Sequence, residues 1–158
     1  YDVTYGVIKP TDNLVIIDDS IVRGTTLKMS IIKMMDRLKP KSIVIVSSAP
    51  QIRYPDCYGI DMAKLEGLVA FRAALELLKD RNLYHIVDEV YVKCKKQEDL
   101  HDNDVVNFVT EIYAPFTPQE ISDKIAALLS SPEINAEVKI IFQTVEDLHI
   151  ACPKNLED

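Results

Sequence analysis

The chain has 158 residues, 47% of them hydrophobic, which is one domain's length and enough to bury a core. Acidic residues outnumber Lys and Arg by 25 to 18, a net charge of −7 that argues against a broad nucleic-acid surface. No apolar run approaches the ~20 residues of a membrane-spanning helix and no signal peptide is visible, so a cytoplasmic domain without membrane partners is expected.

Leu14-Val15-Ile16-Ile17 is a continuous apolar run, as expected of a parallel strand buried on both faces. After Asp18 and Asp19, a short loop leads into Leu27, Ile31, Met34, Met35 and Leu38, which recur at helical spacing until Pro40. Ile43-Val44-Ile45-Val46 is a second buried strand, and strand, helix, strand implies a parallel pair with a right-handed crossover. Pro50 and Pro55 stiffen the next loop. Helical spacing returns with Leu65, Leu68, Val69, Leu75 and Leu78, and again with Ile86, Val87, Val90, Tyr91 and Cys94. Residues 93–104 mix both charges and read as a solvated face, and Val105, Phe108, Val109 and Ile112 suit a short helix. Thr117-Pro118-Gln119-Glu120 is a capping box with proline at the first helical position, opening a helix through Ile121, Ile125, Leu128 and Leu129 that Pro132 breaks. Val138 to Phe142 reads as a strand, followed by a short helix capped at Thr144.

The pattern predicts a single α/β domain with a parallel sheet core over about 5–80 and 136–152. A helical insertion over about 81–135 is expected to pack on the sheet or on a partner subunit.

The chemistry concentrates in Asp18-Asp19-Ser20-Ile21-Val22-Arg23-Gly24-Thr25-Thr26, between the first strand and the first helix. Ligands of parallel sheets bind at the carboxyl ends of strands, where the two acids fall. Paired carboxylates can accept the hydroxyls of a cis-diol or hold a hydrated Mg²⁺. A phosphate needs converging N–H donors with no side chain in the way. Gly24 allows that close approach, and the helix start with the Thr25 and Thr26 hydroxyls adds donors. Two or three of these residues would make an ordinary capped turn. The Walker spacing and its Lys are absent, so this is not a nucleoside triphosphate loop of that kind.

Leu14 to Thr26, LVIIDDSIVRGTT, resembles the phosphoribosyl pyrophosphate (PRPP) signature of the type I phosphoribosyltransferases. Within it, Ser20-Ile21-Val22-Arg23 is similar to the middle found in the amidophosphoribosyltransferases. Ser47-Ser48-Ala49-Pro50-Gln51-Ile52-Arg53-Tyr54-Pro55 and Tyr58-Gly59-Ile60-Asp61-Met62 resemble that family's stretch after the next strand. Phe142 to Leu148 looks like its later strand-to-helix junction.

The resemblance implies a partial type I phosphoribosyltransferase fold with a helical insertion. It implies an enzyme converting PRPP and glutamine to 5-phosphoribosylamine, glutamate and pyrophosphate in purine synthesis. Asp18 and Asp19 would bind the ribose hydroxyls and help hold Mg²⁺; Ser20 to Thr26 would form the 5-phosphate loop, with Arg23 adding charge or bracing it. Arg53, Tyr54 and Asp61 could line the site, with a structural role equally open. No residue is assigned as a general base. Ammonia would come from a glutaminase domain, and no N-terminal Cys of that domain stands at Tyr1. The chain is therefore expected to be a C-terminal part of a larger, homo-oligomeric enzyme and inactive alone.

Cys57, Cys94 and Cys152 are isolated, with no C-x-x-C pair, so an iron–sulfur cluster is not expected; His85, His101 and His149 show no ligand spacing. Three competing functions remain: another type I phosphoribosyltransferase acting on a nucleobase, a non-catalytic PRPP-sensing regulator, and a piece serving mainly in subunit assembly with its site vestigial. The first would show nucleobase-dependent turnover, and the second should carry a basic DNA-binding domain.

Overall fold

In the computed structural model, which describes residues 6–56 and 62–152, three parallel strands form one sheet in the order β1 (Asn13–Asp18), β2 (Ser42–Ser47), β3 (Glu137–Phe142). The register aligns Leu14 with Ile43 and Val138, Ile16 with Ile45 and Ile140, and Asp18 with Ser47 and Phe142. The parallel α/β fold predicted from the alternation of apolar runs is the fold observed.

Helix α1 spans 25–36 and joins β1 to β2. Its middle, Leu27–Ile31, is wound as a π-helix before the α-turns of Ile32–Asp36. The sequence reading has a plain helix with Leu27, Ile31, Met34, Met35 and Leu38 inward. The wider π-turn instead brings Ile31 and Ile32 together into the core, where Ile32 is 1% exposed. The chain leaves the helix through Lys39 at φ +57°, just before Pro40.

A 3₁₀ turn at Leu65–Gly67 precedes α2 (Val69–Asp80), and α3 (His85–Lys95) follows. Val90 of α3 is buried, whereas Tyr91, placed in the same apolar stripe from sequence, faces solvent. The short helix expected from Val105 onward is only α4 (Thr110–Tyr113), because Val105 and Val106 lie outside it and half-exposed.

The capping box opens α5 (Pro118–Leu129) as predicted: the Thr117 side chain accepts from the Glu120 amide and the Glu120 carboxylate accepts from the Thr117 amide. Although α5 falls in the stretch expected as an insertion, it packs on α2 and β3 and buries Ile121, Ile125 and Leu129 in the common core. Helix α6 (Val145–Ala151) is capped by Thr144, whose hydroxyl accepts from the Asp147 amide.

The helices cover one sheet face, burying Ile43, Ile45 and Ile140 with Ile32, Ala73, Leu78 and Ile125. On the other face Val15 is 63% exposed, Ile17 78% and Ile141 53%. The expectation that β1 is buried on both faces is therefore corrected. Strands taken in consecutive order with crossovers of one hand place every covering helix on the same side.

Asp36 ties the two ends of this layer together, accepting from the Asn135 amide at 3.0 Å and the Ala136 amide at 2.8 Å just before β3. Among the described residues no helix is long and apolar enough to cross a membrane.

Candidate functional site

The loop from Asp18 to Thr26 lies at the carboxyl end of β1, as its sequence position demands. Asp18, Ser20, Ile21, Val22, Arg23, Gly24, Thr25 and Thr26 line an open cleft of about 450 Å³ together with Leu27 and Ile31. Ile21 sends its side chain into the core, 3% exposed, and so contributes to the cleft through its backbone. Asp19 is exposed and does not line the cleft; its carboxylate accepts from the Ser20 amide at 2.7 Å. The Asp18 carboxylate likewise accepts from the Asp19 amide, at 3.1 Å.

Burial raises the Asp18 carboxyl above its ordinary pKa; the Asp19 amide offsets part of this, and the Asp19 charge adds to the rise. The second oxygen of each carboxylate has no donor among the described residues.

The amides of the turn face the opposite situation. Among the described residues, those of Ile21, Val22, Gly24, Thr25 and Thr26 meet no acceptor, and neither do the two Thr hydroxyls. Orphan N–H groups at a helix start form an anion-binding concavity when they converge, with the helix dipole adding to it. Gly24 sits at its centre with φ +70° and is buried. A Cβ there would come within 2.7 Å of Leu129 Cδ2, at the end of α5. The glycine is required on two counts: the left-handed backbone and the close approach of a helix.

Three distant elements hold the loop. After β2, the Ser48 amide donates to the Asp18 carbonyl at 2.9 Å, and its hydroxyl lies 3.0 and 3.2 Å from the Asp18 and Asp19 carbonyls. From α2, the Val69 amide donates to the Val22 carbonyl at 2.8 Å and the Arg72 guanidinium to the Arg23 carbonyl at 2.6 Å. From the loop's own helix, Lys28 Nζ donates to the Leu128 carbonyl of α5 at 2.7 Å.

Ser48 stands in the block singled out from sequence but without a role there. Arg72 and Lys28 carry no sequence signal at all, since their partners lie 49 and 100 residues away.

The weaker candidates are placed elsewhere. Arg53 stacks its guanidinium 5.2 Å above the Tyr113 ring and donates to the Gln51 side chain at 2.8 Å. Tyr54 meets Tyr113 edge-on at 5.8 Å between centroids, and the Tyr113 hydroxyl donates to the Arg53 carbonyl at 2.7 Å. Gln51 in turn donates to the Pro118 carbonyl and the Ser122 hydroxyl of α5. These residues staple the loop after β2 to α4 and α5, and neither Arg53 nor Tyr54 lines the cleft. Asp61 and Cys57 lie outside the described residues; Cys94 and Cys152 are free thiols.

A parallel sheet carrying this acidic pair and glycine-turned helix start at a strand's carboxyl end defines a domain of the type I phosphoribosyltransferase kind. No family model matches the chain. Compared with curated proteins, it is 32% identical over 136 residues to the amidophosphoribosyltransferase of Saccharomyces cerevisiae, covering 80% of this chain and 26% of that protein. The amidophosphoribosyltransferase of Pseudomonas aeruginosa is 45% identical over 64 residues, 40% of this chain and 13% of its own length. That of Schizosaccharomyces pombe is 34% identical over 91 residues, 54% of this chain and 17% of its own. The chain thus belongs to the amidophosphoribosyltransferase family and spans about a quarter or less of the length of these relatives.

Proposed function

We propose that residues 18–26 form the ribose-phosphate site of an amidophosphoribosyltransferase. That enzyme transfers ammonia, released from glutamine, onto C1 of PRPP and expels pyrophosphate, giving 5-phosphoribosylamine for purine synthesis. One observation carries the reading: two carboxylates at a strand end adjoin a turn whose amides have no acceptor among the described residues.

On this reading the 5-phosphate takes the amides of Gly24, Thr25 and Thr26 and the two Thr hydroxyls, and Arg23 contributes positive charge at the rim. Asp18 and Asp19 accept the ribose hydroxyls and fix the sugar. Their negative charge stabilises the oxocarbenium-like character that C1 develops as pyrophosphate departs. Positioning does much of the work, because neutral ammonia needs no general base to attack.

The two carboxylates also fit a hydrated Mg²⁺. Such an ion takes one or two carboxylates with water and phosphate oxygens completing its shell, and Asp18 and Asp19 each keep one oxygen without a donor. When bound, Mg²⁺ would neutralise charge on the leaving pyrophosphate. Among the described residues no group of three or more acids, His or Cys is placed to hold a metal by itself, so substrate oxygens would have to share it. Ammonia would be delivered from a glutaminase domain, in a cytoplasmic homo-oligomer, and the 158 residues alone would bind without turning over.

An amide-resolved NMR titration with ribose 5-phosphate, then with PRPP and Mg²⁺, tests this. Shifts concentrated at Ser20 to Thr26 are expected. A folded chain whose loop amides stay still at saturating ligand would overturn the proposal.

A further inference from the structure

We propose that Arg72 of α2 is a positioning residue for the phosphate site, acting by holding the Arg23 carbonyl so that the Gly24 amide points into the cleft. The inference rests on the reading of residues 18–26 as a phosphate loop and assigns a role to a residue outside it.

A trans peptide is planar, with its carbonyl and the following N–H on opposite sides. Whatever captures a carbonyl on the protein side therefore aims the next amide away from the protein. In this loop five carbonyls are captured, those of Asp18, Asp19, Val22, Arg23 and Gly24. Ser48 takes those of Asp18 and Asp19, the Val69 amide takes Val22, Arg72 takes Arg23 at 2.6 Å, and the Lys28 amide takes Gly24 at 3.0 Å. Backbone donors serve Asp18, Val22 and Gly24, and would do so whatever the side chains were. The Asp19 and Arg23 carbonyls depend on side chains, Ser48 and Arg72.

The Arg23–Gly24 peptide is also the one most able to turn over. Glycine occupies both signs of φ with similar ease, so nothing intrinsic to Gly24 keeps its N–H outward. With Arg72 absent, that peptide can rotate and present a carbonyl oxygen where a phosphate should sit, replacing attraction with repulsion.

Arg72 suits this task. It projects from the first turn of α2, whose start is already fixed to the loop by the Val69–Val22 bond. Together with Arg23, Gly24, Lys28 and Thr25 it lines a groove of about 360 Å³. A charged donor holds a carbonyl more firmly than a neutral one.

The test is the ribose 5-phosphate titration repeated on Arg72→Ala, Arg72→Lys and, as a control on the same helix, Lys79→Met. Arg72→Ala should raise Kd about tenfold, equivalent to ~1.4 kcal/mol, and displace the Gly24 amide resonance in the free protein. Arg72→Lys, which keeps a charged donor, should recover most of both effects, and Lys79→Met should change neither.

If the wild-type chain does not bind, the phosphate-loop reading fails and this inference with it. If the wild type binds and Arg72→Ala binds equally well, the inference alone is overturned. It is also overturned if Arg72→Ala weakens binding while the free Gly24 amide stays in place, since the effect would then be charge and not orientation.

Discussion

Replacing Gly24 by alanine separates the two demands the fold makes at this position. The backbone sits at φ +70°, where an L-residue costs about 1–2 kcal/mol. The added Cβ would lie 2.7 Å from Leu129 Cδ2 and 2.9 Å from Cδ1, and Leu129 is only 3% exposed. Overpacking of that kind costs about 1–3 kcal/mol. Together the terms give about 2–5 kcal/mol, or a fall in Tm of roughly 5–15 °C at this chain length.

Urea unfolding followed by far-UV circular dichroism reads the loss. Truncating the neighbour isolates its parts: in a Leu129→Ala background the clash is gone and the backbone cost remains. The double-mutant cycle should therefore show a favourable coupling of about 1–3 kcal/mol. Gly67→Ala is the control, because a Cβ there finds only Arg23 Nε at 3.7 Å, and its effect should stay within about 1 kcal/mol. A Gly24→Ala loss no larger than that of Gly67→Ala would refute the reasoning about both strain and approach.

Four further outcomes follow from named contacts. Asp18→Asn should abolish Mg²⁺-dependent PRPP binding yet leave the free chain as stable as before or more so. The raised pKa of Asp18 means that its charged form disfavours the fold, a cost present once pH exceeds the unfolded carboxyl's range and absent below it. Urea midpoints at pH 4 and pH 7 for both chains check the sign. Thr117→Ala, which removes the hydroxyl accepting from Glu120, should cost about 0.5–2 kcal/mol by thermal unfolding. The Thr117 amide and hydroxyl, with Arg81, hold the Glu120 carboxyl below its usual range; its stabilisation is complete above the unfolded pKa and disappears as pH falls through the lower folded value. The pH dependence of unfolding should accordingly flatten in Glu120→Gln. Tyr113 is shifted the other way: burial pushes its phenol above the usual range, so the fold should weaken as pH rises beyond about 10. Tyr113→Phe should remove that alkaline loss while giving up the bond to the Arg53 carbonyl, as pH-jump circular dichroism would show.

What could be read from the sequence was what is encoded locally. The apolar runs at 14–17 and 43–46 gave strands because strand identity needs only a few adjacent residues. The Thr117 and Thr144 caps gave helix starts because a cap is settled within one turn. The candidate loop at 18–26 stood out for the same reason, nine consecutive residues joining a strand to a helix. Burial of β1 was not, because an apolar run records that a strand can be covered on both faces, not what covers it; here Val15 and Ile17 remain open. The π-turn was missed because Leu27 and Ile31 satisfy an α-spacing just as well, and only the burial of Ile32 tells them apart. For Arg53 and Tyr54, in a loop near the strand end, the sequence leaves a site role and a structural role equally open. Their partner, Tyr113, is some 60 residues away and invisible to local reading.

The site and the helical stretch that precedes β3 are one mechanical unit. Gly24 can approach closely only because α5 ends there with Leu129, and α5 ends there because its start is locked by the capping box and its body by Ile121 and Ile125 in the core. Lys28 closes the circuit by binding the Leu128 carbonyl at 2.7 Å, so that α1 and α5 are joined on either side of the glycine. A displacement of α5 along its axis would break that bond and shift the wall against which the loop is formed. The orientation of the loop amides therefore depends on helix packing more than on the loop's own residues, which is what the proposed anion site would require of its scaffold. Residues 110–129, which sequence reading set apart from the core, are for this reason part of what the loop needs to hold its shape.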